Sequence, residues 1–172
     1  MKTLYILRHA KAEPEGRDGD AERPLMKRGQ KAAATMGEYL AGLKPPPRLV
    51  LCSTSLRTRE TLDAILSALK PTPQALFENA LYLAGANRLL DRLQRLPEQT
   101  ESVLLIGHNP GLHQLIASLA NEAGNLAEGF PTAALAVLRI SGTWSALRPH
   151  QATLIDFKTP KSLSRDPDFG PD

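Results

Sequence analysis

Two short apolar runs, Leu4-Tyr5-Ile6-Leu7 and Val103-Leu104-Leu105-Ile106, constrain this chain more than any other feature. A continuous run of strand-favouring residues, without polar alternation, reads as a strand covered on both faces, as in a parallel sheet. Each run stops abruptly on polar residues. The first ends at Arg8-His9-Ala10 and the second passes through Gly107 into His108-Asn109-Pro110-Gly111. A buried strand gains nothing from such an ending. Ligands of an open parallel sheet bind just beyond the carboxyl ends of its strands, where both histidines would stand. Two histidines far apart in sequence, at equivalent strand ends, imply one shared site.

The rest of the chain alternates strands and helices, so the expected fold is a three-layer α/β/α sandwich with a mostly parallel central sheet. After a polar loop from Lys11 to Arg23, a helix is predicted from near Leu25–Lys27 to about Leu43, stopped by Lys44-Pro45-Pro46-Pro47. Arg48 to Cys52 reads as a buried strand. Ser53, Thr54 or Ser55 could cap the next helix, whose Leu62, Ile65, Leu66 and Leu69 form an apolar stripe. Ala75 to Leu83 is part strand and part loop. Asn87–Leu96 and Pro110–Ala120 have helical periodicity, and Ala134–Ile140 and Ala152–Phe157 look like strands. The tail from about Lys158, with Pro160, Pro167 and Pro171, is expected to lie extended on the surface. With no internal repeat or linker, the 172 residues are expected to form one domain.

Composition narrows the function mainly by exclusion. Cys52 is the single cysteine, so neither a disulfide framework nor a thiolate zinc cluster is expected. The net charge is only +3, and Arg88, Arg92 and Arg95 read as a solvated helix face rather than a nucleic-acid patch. Met1-Lys2 leads straight into a strand, and no apolar run approaches the roughly 20 residues of a membrane helix, so a cytoplasmic location is expected. Neither nucleic acid nor membrane is an expected partner, and no cofactor is implied. The calcium-like Asp18-Gly19-Asp20 lacks the later ligands of a calcium loop, and no Gly-rich phosphate loop is present.

Three motifs in order carry a resemblance. Arg8-His9-Ala10 and Gly107-His108-Asn109-Pro110, with Ser53-Thr54-Ser55-Leu56-Arg57-Thr58-Arg59-Glu60-Thr61 between them, resemble the histidine phosphatase superfamily, which has the phosphoglycerate mutase-like fold. Arg23-Pro24-Leu25 followed by Gly29, and Phe157-Lys158-Thr159-Pro160-Lys161 near the end, are similar to its short SixA-type phosphohistidine phosphatases. The resemblance implies a metal-independent phosphatase working through a phosphohistidine intermediate, with His9 as nucleophile and Arg8, Arg57 and His108 around the phosphoryl group. It also implies a cationic His108.

These roles are physically reasonable. A neutral imidazole has one nitrogen free to attack, provided that a fixed acceptor holds the proton of the other. Guanidinium groups match phosphate oxygens in pairs, and Arg57 falls in a first helical turn, where the dipole disfavours a cation unless an anion is bound. Asn109 would cap the following helix and stand at the phosphate, with Pro110 at its first position and the helix amides aimed at the same anion. The resemblance implies a general acid from the segment before the second histidine, for which Glu78 is the best placed candidate, ahead of Glu13, although expelling imidazole needs little proton donation. The resemblance to the short SixA-type group implies phosphohistidine on a protein as the substrate, in keeping with a chain that has little room for the insertions that enclose small metabolites in larger relatives. Two alternatives follow from the same residues. One is a phosphatase of a small phosphorylated metabolite that depends on Glu78, and the other is a phosphoprotein-binding module without turnover.

Overall fold

The computed structural model describes residues 1–122 and 124–163. Six strands form one sheet: β1 (Lys2–Arg8), β2 (Leu49–Ser53), β3 (Gln74–Glu78), β4 (Ser102–Gly107), β5 (Leu135–Ile140) and β6 (Ala152–Lys158). They lie in the order β3-β2-β4-β1-β5-β6. Strands β1 to β4 run parallel, and β5 is antiparallel to both β1 and β6. The sheet is therefore mostly parallel, with one reversed strand.

The apolar runs are continuous because alternate residues serve opposite faces. Leu4 and Ile6 of β1, with Leu49 and Leu51 of β2 and Val103 and Leu105 of β4, pack on helices α3 (Ala86–Gln94) and α4 (Gly111–Leu119). Tyr5, Leu7, Val50, Cys52, Leu104 and Ile106 face the other way, against Met36 and Leu40 of α1 (Lys27–Ala41) and Leu62 and Ile65 of α2 (Leu56–Leu66). All these strand residues are buried. Three layers result, with helix pairs on both faces.

Helices α1 and α4 follow β1 and β4 onto opposite faces, so the crevice between these adjacent strands is the topological switch point of the sheet. Arg8 pairs in register with Gly107, and the His9 amide donates to the Gly107 carbonyl at 3.1 Å. Both strands thus release their histidines at one level. Gly29 lets the chain beyond His9 settle close to α1, since a Cβ there would stand 2.1 Å from the Lys11 carbonyl oxygen.

The ambiguous stretch after Ala75 resolves into edge strand β3 and a 3₁₀ turn, Asn79–Leu81. The tail departs from expectation. Strand β6 runs through Lys158, and Pro160–Leu163 forms a helical turn, α5. Thr159 caps it: its Oγ1 accepts the Ser162 amide at 3.1 Å, while Ser162 Oγ accepts the Thr159 amide at 2.9 Å. Proline at the first helical position suits this start, and Leu163 packs against the α1–α2 side of the core. Residues 164–172, which include Pro167 and Pro171, lie outside the described residues. Among the described residues no helix is long and apolar enough to cross a membrane.

Candidate active site

His9 stands directly after β1 and is 7% exposed. Its Nδ1 lies 2.8 Å from the Ala10 carbonyl oxygen. A carbonyl can only accept, so Nδ1 carries the proton and the lone pair is left on Nε2. Ala10 is itself held: its amide donates to Thr61 Oγ1 at 3.0 Å, and Thr61 donates to the Arg57 carbonyl at 2.7 Å. The acceptor that sets the His9 tautomer is thus fixed through α2. Among the described residues, no group of three or more His, Cys, Asp or Glu side chains is arranged to hold a metal ion.

His108 is 3% exposed, with its ring centroid 5.4 Å from that of His9. Its Nε2 lies 2.7 Å from Ser53 Oγ, at the end of β2, and its Nδ1 lies 3.3 Å from Arg57 Nη2. A guanidinium only donates, so His108 Nδ1 holds a lone pair and Nε2–H faces Ser53. This ring is neutral as it stands, whereas the resemblance implies a cation. The cause is local. Burial, then the charge of Arg57, pushes the His108 pKa down to about 4, and burial pushes His9 down to about 3. A phosphoryl dianion among these groups would act in the opposite direction.

Ser55 caps α2, its side chain accepting the Thr58 amide, which leaves Ser53 to His108 and projects Arg57 from the first turn. Arg57 is buried, and its Nη1 and Nη2 donate to the backbone oxygen and to Oδ2 of Asp20 at 2.8 and 3.0 Å. Its Nε is buried and has no hydrogen-bond partner among the described residues. A buried donor of this kind fits an anion. Arg8 Nη1 donates to the Phe130 carbonyl at 3.2 Å.

Asn109 stands beside the pocket with both ends of its amide engaged. Nδ2 donates to the Phe130 carbonyl at 2.7 Å, and Oδ1 accepts the His113 amide at 3.2 Å, a capping bond. Two of the first-turn amides are engaged within the chain: Leu112 donates to the His108 carbonyl at 3.0 Å and His113 to Asn109. The helix begins at Gly111, with Pro110 as its cap residue. Glu78, at the end of edge strand β3, makes a two-pronged pair with Arg92 at 2.6 and 2.8 Å. Arg92 is therefore not part of a merely solvated arginine face.

The carboxylate in contact with the pocket is Asp20, which the sequence reading considered only as part of a calcium-like triplet. Gly19, with φ of 86°, turns the chain into a 3₁₀ turn over Asp20–Glu22. Asp20 then meets Arg57, Arg23 Nη1 (3.0 Å) and the Tyr82 hydroxyl. Tyr82 in turn sets its ring edge-on to His108, with centroids 5.4 Å apart. Asp20, Tyr82 and Ser53 are the site residues that sequence reasoning missed. Only the nearby Arg23-Pro24-Leu25 segment hinted that this loop returns to the site.

The burial of both histidines has a consequence for stability. Each is neutral in the folded chain, whereas an unfolded histidine titrates near 6.5. As the pH falls from about 6.5 towards 4, the unfolded chain binds protons that the folded chain refuses, and stability is lost. The slope is at most about 1.4 kcal/mol per pH unit for each histidine. Urea unfolding at pH 7, 6 and 5 is expected to show this loss, and His108→Asn should remove about half of the histidine contribution. An unchanged slope in that variant would place the cause elsewhere.

Comparison with known proteins agrees with this geometry. Residues 4–81 match the histidine phosphatase superfamily (branch 1). An uncharacterized protein of Mycobacterium tuberculosis is 34% identical over 163 residues, which are 90% of this chain and all of that protein. The structure of a SixA protein from Nakamurella multipartitia superposes with a TM-score of 0.81 at 30% identity, covering 92% of this chain and 96% of its own. The protein histidine phosphatase SixA, in complex with tungstate, superposes with a TM-score of 0.80 at 27% identity, covering 94% and 99%. The chain belongs to the histidine phosphatase superfamily, in its SixA group, and is a phosphatase.

Proposed function

We propose that this phosphatase removes the phosphoryl group from phosphohistidine on a protein, through a covalent intermediate on His9 and without a metal ion. The observation that carries this reading is the Nδ1–Ala10 contact, which leaves Nε2 as an unprotonated nucleophile beside the arginines. His9 Nε2 attacks phosphorus as the bond from phosphorus to the substrate nitrogen breaks, and the electron pair departs on the substrate imidazole. Water then attacks the phosphorylated His9, releasing phosphate and restoring the imidazole. Arg8 and Arg57 supply positive charge to the phosphoryl oxygens, the main requirement of a loose transition state. His108, once the dianion favours its proton, adds to them.

The choice of substrate rests on the leaving group. An alkoxide must be given a proton, yet Asp20 is held well below the usual carboxylate range, chiefly by the Tyr82 hydroxyl and then by Arg23 and Arg57. Glu78 is engaged by Arg92. Imidazole, with a conjugate-acid pKa of about 6.5, leaves without such help. The similar SixA structure with tungstate, a tetrahedral oxyanion, supports a phosphoryl site of this kind.

The test is a steady-state comparison of a phosphohistidine protein, an aryl phosphate and an alkyl phosphate, each with and without EDTA. The expected order of kcat/KM is phosphohistidine, aryl, alkyl, unaffected by EDTA and little changed by Glu78→Gln on phosphohistidine. An alkyl phosphate as best substrate, with strong dependence on Glu78, would replace this reading by that of a metabolite phosphatase. Absence of turnover on all three would favour a binding module.

Arg57→Lys provides a separate check of the pocket. One ammonium cannot span the two Asp20 oxygens and also present a third donor inward, as the guanidinium does. The expected loss in kcat/KM is roughly tenfold or more, about 1.4 kcal/mol. Full activity in this variant would contradict the proposed role.

A further inference from the structure

We propose that Asp20 is a specificity-determining residue that accepts a hydrogen bond from the leaving imidazole of the substrate and thereby selects phosphohistidine over phosphate esters; this rests on the function proposed above. A carboxylate offers about four lone-pair positions. Three are used here: Oδ2 receives Arg57 Nη2 and the Tyr82 hydroxyl, and Oδ1 receives Arg23 Nη1. One position on Oδ1 remains. The Asp20 side chain is 33% exposed whereas that of Arg57 is 3% exposed, so of this pair Asp20 is the solvent-side rim.

A phosphoryl group attacked by His9 from within must expel its leaving group outward, towards that rim. On phosphohistidine, the ring nitrogen not bound to phosphorus carries a proton when the group is activated. Its N–H can donate to Asp20 as the electron pair of the breaking P–N bond moves onto the other nitrogen. The product is neutral imidazole, and no proton need pass to or from Asp20. An ester has no N–H to offer, and its leaving oxygen gains negative charge beside a carboxylate. The same ionised group that cannot serve as a general acid therefore favours one substrate class and opposes the other. Arg57 Nε, buried and without a partner among the described residues, remains for the phosphoryl oxygen while Nη1 and Nη2 hold Asp20.

The experiment compares wild type and Asp20→Asn on a phosphohistidine peptide and on 4-nitrophenyl phosphate. Asparagine keeps the shape and Tyr82→Phe serves as a second variant, since it removes a neighbour of Asp20 but leaves the carboxylate. In Asp20→Asn, kcat/KM on phosphohistidine is expected to fall about tenfold or more, as for a lost hydrogen bond to a charged group. Activity on 4-nitrophenyl phosphate should fall much less, so that the ratio of the two substrates drops. Tyr82→Phe should keep the wild-type ratio of the two substrates. An equal fall on both substrates in Asp20→Asn would mean that Asp20 merely positions Arg57, and would overturn the proposal, as would no fall on either. A wild type inactive on phosphohistidine would instead overturn the proposed function, and this inference with it.

Discussion

His9→Asn is expected to abolish both turnover and acid-labile phosphoenzyme, with a loss in kcat on the order of 10⁴-fold or more, the scale seen when a nucleophile is removed. The reason is the pairing of each imidazole. Both site histidines are buried and neutral, but only His9 has its donor nitrogen fixed on a carbonyl, leaving a lone pair without a partner among the described residues. His108 is bonded at both nitrogens, to Ser53 and to Arg57. His108→Asn should therefore slow the reaction while still permitting label on His9. Rapid-quench labelling with a radioactive phosphodonor separates the two. Undiminished phosphoenzyme in His9→Asn, or its complete loss only in His108→Asn, would assign the nucleophile wrongly here. Orthovanadate binding by His9→Asn within about tenfold of wild type would show that the pocket itself is intact, since the contacts proposed for Arg8 and Arg57 would remain.

The strand-end histidines could be read from the sequence because two local signals coincide there. A continuous apolar run fixes a buried strand, and an abrupt polar ending fixes where it meets solvent. Arg57 was legible for a similar reason, as a cation in a first helical turn. Thr61 stood in the same motif, but its work became visible only in three dimensions, where its hydroxyl ties Ala10 to α2. Asp20 is different in kind. Its loop has no period, and the partners that bring it to the site lie 37 residues away in Arg57 and 62 away in Tyr82. No local propensity encodes such a return. Glu78 shows another limit: order along the chain places it at the strand end beside Ser53, but not the pairing of its carboxylate with Arg92 on the adjacent helix. The short helix Pro160–Leu163 was hidden by the same prolines that suggested an extended tail, since proline is also well suited to a first helical position.

Gly111→Ala is expected to cost about 3 kcal/mol of stability, at the upper end of the usual overpacking range, because the added methyl cannot be placed without moving backbone. A Cβ at this position would stand 1.9 Å from the carbonyl oxygen of Ala84 and 3.4 Å from Leu89 Cδ1. Unlike the far end of a flexible side chain, the Ala84 carbonyl cannot swing aside, and the strand-to-helix turn through His108 cannot yield without moving that ring. A loss of this size lowers Tm by roughly 6–12 °C for a chain of this length. Gly85→Ala is the control, next to Ala84 in sequence. Its φ is −77°, and a Cβ there meets nothing within 4 Å; because it caps α3, where alanine is less suited than glycine, its effect should lie within about 1 kcal/mol of zero. The clash also sits where the site is assembled. Ala84 follows Tyr82 by two residues and Gly111 follows His108 by three, so relief of the overlap pushes apart the elements that set the Tyr82 ring against His108. At a temperature where Gly111→Ala is still fully folded, kcat/KM should therefore fall by about tenfold or more, while Gly85→Ala keeps wild-type activity. Wild-type stability in Gly111→Ala would mean that the turn has freedom which its packing denies. Lost stability with full activity would mean that the Tyr82–His108 contact does not bear on catalysis.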